Sequence, residues 1–157
     1  MKFDTVFVSL FLASIVLAAN SFKIIFSQSD IDYYLNINEL EEVVFSLDDS
    51  QAFELNEDSQ LVLASDHTKI IAADESDHLA VYDKLEEDPT DKYPTWSFSA
   101  FDDIESINYD DSTEDKSLFA YTFEDEDSIV WKPVVDFAAI PDEAVSEHIS
   151  IVFVDRK

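Results

Sequence analysis

Short runs of alternating apolar and polar residues, separated by acidic turns, decide what this chain can fold into. Phe22, Ile24 and Phe26 alternate with Lys23, Ile25 and Ser27, and Tyr33, Leu35 and Ile37 alternate with Tyr34, Asn36 and Asn38. Val43-Phe45-Leu47, Phe53-Leu55, Leu61-Leu63, Ile70-Ile71, Leu79 to Tyr82, Trp96-Phe98, Ile104 to Tyr109, Phe119-Tyr121-Phe123, Ile129 to Trp131 and Ile149 to Val154 follow. A period of two places successive side chains on opposite faces, and β-branched and aromatic residues favour that pleated surface. Between the runs lie Asp48-Asp49-Ser50, Asn56-Glu57-Asp58-Ser59, Asp102-Asp103, Asp110-Asp111-Ser112 and Glu124-Asp125-Glu126-Asp127-Ser128. Asx side chains bond nearby backbone and so support turns.

The pattern predicts an all-β domain over residues 20–157, with about twelve short antiparallel strands at spacings of roughly ten residues. Such a set closes into a sandwich or a barrel. Faint echoes at intervals of about forty residues, at Asp32-Tyr33-Tyr34-Leu35, Asp77-His78-Leu79 and Lys116-Ser117-Leu118-Phe119, favour a β-trefoil, with a β-sandwich as the alternative. The longest loop is expected over Lys84 to Pro94. Pro141 to His148, with proline early and acids following, reads as one or two helical turns.

Glycine is absent from all 157 residues. Without it the phosphate-binding loop, the dinucleotide fingerprint, the esterase nucleophile turn and the standard EF-hand loop are all excluded. Turns that need a positive φ must use Asn or Asp, which tolerate it best after glycine. Cysteine is also absent, so disulfides and zinc-thiolate sites are ruled out and stability must come from the packed core.

The first residues read as an address. Met1-Lys2 precedes an apolar run from Val6 to Leu17, and small residues at Ala18 and Ala19 close it. This is the layout of a secretory signal peptide over residues 1–19, cleaved after Ala18 or Ala19. The run is short for a membrane span. A secreted or extracellular protein is the expectation, with no membrane contact after cleavage. No Asn-x-Ser/Thr sequon occurs, so N-glycans are not expected.

The formal net charge is −27, from 36 acidic and 9 basic residues. Such a surface repels phosphate backbones and anionic lipid, which disfavours nucleic-acid and membrane-surface partners. Cationic partners and neutral polymers, cell-wall polysaccharide among them, remain open. The aromatic share of 13 % separates the chain from disordered acidic tails, which lack such residues.

No residue set reads as a catalytic centre, and no cofactor is implied. His67, His78 and His148 fit no zinc spacing. A glycosidase needs two carboxyls across a cleft, one with a raised pKa, which the abundance of acids cannot distinguish from solvated loops. Glu124, Asp125, Glu126 and Asp127 offer clustered oxygens for weak calcium binding but lack EF-hand spacing. Trp96, Trp131 and Tyr93 are the candidate ligand residues, since an aromatic ring stacks on a sugar face. Tryptophan at strand positions is more often part of a core than of a ligand site.

One family resemblance stands on the order of these elements. Phe22-Lys23-Ile24-Ile25 leads to Asp32-Tyr33-Tyr34-Leu35-Asn36-Ile37, then Phe53-Glu54-Leu55-Asn56-Glu57-Asp58-Ser59-Gln60-Leu61, then Trp96-Ser97-Phe98 through Ile107-Asn108-Tyr109, and Phe119-Ala120-Tyr121. This order resembles the N-terminal domain of small cell-wall mannoproteins of budding yeasts, over Phe22 to about Val154. The family's turn glycines are replaced here, as by Ser59 before Leu61. Its Ser/Thr-rich stalk and GPI tail have no counterpart, so the resemblance implies a soluble or loosely wall-associated relative. The function it implies is that of a secreted, acidic, non-catalytic structural surface protein. The alternatives are a β-trefoil carbohydrate-binding module and, further off, a secreted hydrolase or protease inhibitor.

Overall fold

The computed structural model describes residues 21–89, 92–101, 104–110, 115–123 and 131–154. Fourteen strands form among them: β1 Phe22–Gln28, β2 Ile31–Ile37, β3 Val43–Ser46, β4 Phe53–Leu55, β5 Leu61–Leu63, β6 Asp66–Ala73, β7 Leu79–Asp83, β8 Thr95–Phe101, β9 Ile104–Asp110, β10 Asp115–Ser117, β11 Phe119–Thr122, β12 Lys132–Val134, β13 Val145–His148 and β14 Ser150–Phe153. Every ladder between them is antiparallel. The described residues are all-β, as the alternation predicts.

β1 is the seam of the fold. Its first half pairs with β14, with Phe22 opposite Phe153, and its second half pairs with β2, with Ile25 opposite Tyr34. Phe22 also faces Phe53 of β4. From there the sheet runs through β4, β5, β6 and β7. The hairpin arms β2–β3 and β6–β7 meet the β11–β12 arm in a closed triangle of single bridges: Glu42 to Ala80, His78 to Val134, and Phe45 to Trp131.

The core fills as the alternation dictates. Phe22, Ile24 and Phe26 of β1 are buried, and so are Leu35, Phe45, Phe53, Leu61 and Ile71. Aromatic edges meet faces inside it, as in Phe22 on Phe98 at 5.0 Å and Phe26 on Phe45 at 5.0 Å. A satellite cluster of Phe119, Tyr121 and Val134 lies under residues 137–144.

The turns show how a chain without glycine reverses direction. The β1–β2 hairpin turns on two residues, Ser29 at φ 55° and Asp30 at φ 64°. Positive φ at both central positions is the requirement of a type I′ turn, normally met by Asn-Gly. Three further hairpins share one loop. Asn38, Asn56 and Asp74 each turn a side-chain oxygen onto two backbone N–H groups, at Leu40 and Glu42, at Asp58 and Gln60, and at Ser76 and His78. The residue three positions on, Glu41, Ser59 or Asp77, takes φ 60–65°. The Asx oxygen thus satisfies the turn and holds a non-glycine residue in the left-handed region. The expectation that Asn or Asp would occupy positive φ holds for Asp30 and Asp77, while Ser29, Ser59 and Glu41 show that an anchoring Asx or the hairpin itself suffices.

One expectation is corrected. Residues 141–148 do not form a helix: a three-residue 3₁₀ turn, Phe137–Ala139, precedes them, and Val145–His148 is β13. Its pairing with β11, from Phe119 opposite His148 to Thr122 opposite Val145, outweighs a helical segment too short to nucleate. The Lys84 to Pro94 region connects β7 to β8.

Candidate functional site

Trp96 and Trp131 are core residues, and this corrects their expectation as sugar platforms. Each is 1 % exposed. Trp96 packs against Tyr109 at 4.8 Å and donates its Nε1–H to the Ile71 carbonyl at 3.2 Å. Trp131 packs against Phe26 at 4.7 Å and Tyr33 at 6.0 Å, and its Nε1 is buried with no hydrogen-bond partner among the described residues. Both rings fill space where sheet faces converge, so neither can stack on a ligand without opening the core. Tyr93 is half-buried on the connection before β8, with its ring 5.5 Å from that of Tyr82 and the Lys92 ammonium 5.4 Å from its centroid. The two tyrosines form a small ledge. Burial, aided by nearby Asp74, Tyr93 and Glu75, pushes the Tyr82 phenol above its ordinary pKa. Glu124, Asp125, Glu126 and Asp127 lie outside the described residues.

The hairpin triangle encloses a cleft of about 240 Å³, with Glu41, Glu42, His78 and Lys132 around a floor that includes Val43 and Leu79. A polar chain runs beside it. Asp74 Oδ1 lies 2.7 Å from Ser76 Oγ, which lies 2.9 Å from His78 Nδ1, and His78 Nε2 lies 2.5 Å from the Tyr121 hydroxyl. Tyr121 is 4 % exposed, and burial raises its pKa. Nε2 thus faces the Tyr121 hydroxyl, and Nδ1 also lies 3.1 Å from the Ser76 carbonyl. Both ring nitrogens are then engaged, and the serine hydroxyl donates to Asp74. The chain ties the β6–β7 hairpin to β11; it differs from a nucleophilic triad, where histidine sits between carboxylate and serine with one nitrogen aimed at the hydroxyl.

A second groove of about 370 Å³ crosses the outer faces of β14, β1 and β2, lined by Lys23, Ile25, Asp32, Tyr34, Val152 and Val154. Sequence reasoning passes over these residues because they are far apart in the chain. Their signal is a lapse in the alternation: Ile25, Tyr34, Val152 and Val154 are apolar or aromatic on the side that should be polar.

The carboxylates are held by turns. The Ser50 hydroxyl and backbone keep Asp48 below its ordinary pKa, the Thr68 hydroxyl does so for Asp66, and the Leu85 backbone N–H, with Lys92, for Asp88. Burial, the largest single influence on Asp74, pushes its pKa up, but the Ser76 and His78 hydrogen bonds together bring it down. Lysines sit between acids and staple strands: Lys69 reaches Asp83 at 2.6 Å and Glu41 at 3.3 Å, and Lys116 reaches Asp77 at 3.6 Å and Asp136 at 3.9 Å. Asp83 and Glu41 accordingly hold the Lys69 pKa above its ordinary value.

No family model, no curated protein and no solved structure matches this chain.

Proposed function

We propose that this chain is a secreted, non-catalytic structural protein of a cell surface, of the kind implied by its resemblance to small wall proteins of budding yeasts. Its work is physical: a β-core displays a dense negative shell that hydrates the surface layer and gathers cations. The observation that carries this reading is how the acids are held. Asp48, Asp66, Asp74 and Asp88 all have pKa values below the ordinary carboxylate range, because turn hydroxyls and N–H groups donate to them. Such acids stay ionised and fixed in direction, which suits a charged shell and not a proton-donating general acid. The closed triangle of hairpin arms supports a trefoil-like scaffold beneath that shell.

Equilibrium dialysis of the purified mature domain against Ca²⁺, at rising NaCl, tests the reading. Many weak sites that salt displaces are expected. One tight stoichiometric site that survives salt would show a dedicated metal protein instead. A second reading, a carbohydrate-binding module, is favoured by the Tyr82–Tyr93 ledge and by the groove beside β1.

A further inference from the structure

We propose that the groove between β14, β1 and β2 binds a neutral saccharide, an inference that rests on the carbohydrate-binding reading. Its volume of about 370 Å³ falls within the range of about 300–1,000 Å³ usual for small-ligand sites. The groove is built across the ladder, with Val152 opposite Lys23, Ile25 opposite Tyr34, and Ser27 opposite Asp32. Val152 and Val154 are 50 % and 40 % exposed. Outward positions on a solvated antiparallel sheet are normally polar. Here they form an apolar strip beside an aromatic ring.

The polar groups are few and of both kinds. The Lys23 ammonium lies 5.6 Å from the Tyr34 ring centroid and donates to the Asp49 carbonyl. An ammonium has three N–H donors, so two are left for a ligand. Asp32 accepts from the Ser27 hydroxyl through one oxygen. The Tyr34 hydroxyl makes no hydrogen bond among the described residues.

Charge selects the ligand class. The shell of net charge −27 repels anions. Within the groove Lys23 and Asp32 offset one another, so a cation finds an ammonium and apolar walls. A ligand with a C–H face, a rim of hydroxyls and no charge fits each feature. The C–H face lies on Tyr34, Ile25 and the valines, while the hydroxyls donate to Asp32 and accept from Lys23.

Calorimetric titration of the full mature chain with soluble oligosaccharides of glucan, mannan and chitin tests this. Wild type is expected to bind at least one of the three with an affinity that salt barely changes. Tyr34→Ala, and Val152→Asp from the opposite wall, should each weaken binding about tenfold or more, and Tyr93→Ala should not. Val152 is exposed, so its variant keeps the fold, checked by circular dichroism. Unchanged affinity in both groove variants would overturn the assignment, as would loss in Tyr93→Ala alone, which would move the sugar to the Tyr82 ledge. If wild type binds none of the three, the carbohydrate reading itself falls.

Discussion

Replacing each tryptophan in turn by phenylalanine should produce unequal losses of stability from equally buried sites. Both rings are 1 % exposed, so the apolar area and volume removed are nearly the same, and those terms cancel in the comparison. What differs is the indole N–H. Trp96 gives its proton to the Ile71 carbonyl at 3.2 Å, and losing that bond costs about 1 kcal/mol. Trp131 buries an N–H with no partner among the described residues, a defect worth about 1–3 kcal/mol that phenylalanine removes. Trp96→Phe should therefore be the more destabilising by about 2–4 kcal/mol. Urea unfolding followed by circular dichroism, with equal slopes required in both variants, measures the difference. The chain has two tryptophans, so each variant also keeps one, whose emission should be that of a buried indole. Equal losses, or a larger loss for Trp131→Phe, would refute the reasoning by showing that the Trp131 N–H has found a partner such as a buried water.

The remaining predictions concern turns and charge. The double change Ser29→Asn and Asp30→Gly supplies the residues that a type I′ turn prefers and should raise stability by about 1–2 kcal/mol, read from the same urea curves. Asn56→Ala removes bonds to the Asp58 and Gln60 N–H groups at 2.9 Å and to the Gln60 side chain at 3.0 Å. It should cost roughly 2–3 kcal/mol, whereas Asn56→Asp, which keeps the acceptor that Asp74 provides in its own loop, should cost less. Thermal melts across pH should peak at about pH 4.5 and fall toward about pH 8, where acidic self-repulsion is fully present. They should also fall in strong acid: the folded pKa values of Asp48, Asp66, Asp74 and Asp88 lie below the ordinary 3.8, so their contribution is present above that value and lost as pH drops through the folded ones. Salt should stabilise the protein at about pH 8 and have little effect at about pH 4.5.

The strands are legible because period two is a local signal, carried by Phe22-Ile24-Phe26 or Phe119-Tyr121 without reference to the rest of the chain. The loop shared by Asn38, Asn56 and Asp74 is legible too, in an Asx-Glu pair that opens each one at even spacing, although the apolar echoes used to argue for repeats do not pick it out. Pro141-Asp142-Glu143 carries a sound helix-start signal, yet the pairing of Val145–His148 with β11 is long-range and overrides it. The candidate site is less legible for the same reason. The groove joins Lys23, Tyr34 and Val152, which meet only through the β14–β1–β2 register. The depth of Trp96 and Trp131 depends on how sheet faces converge, which strand periodicity alone does not specify.

Secretion is the premise on which the proposed surface role stands. The full-length chain, tagged at its C-terminus and expressed in a budding yeast, can be fractionated into cytosol, membrane, salt-released wall and medium, with the N-terminus of the recovered protein sequenced. Protein beginning at Ala19 or Asn20 is expected in the medium and the salt-released wall. Protein that keeps Met1 to Leu17 and stays with the cytosol or membranes would contradict that premise.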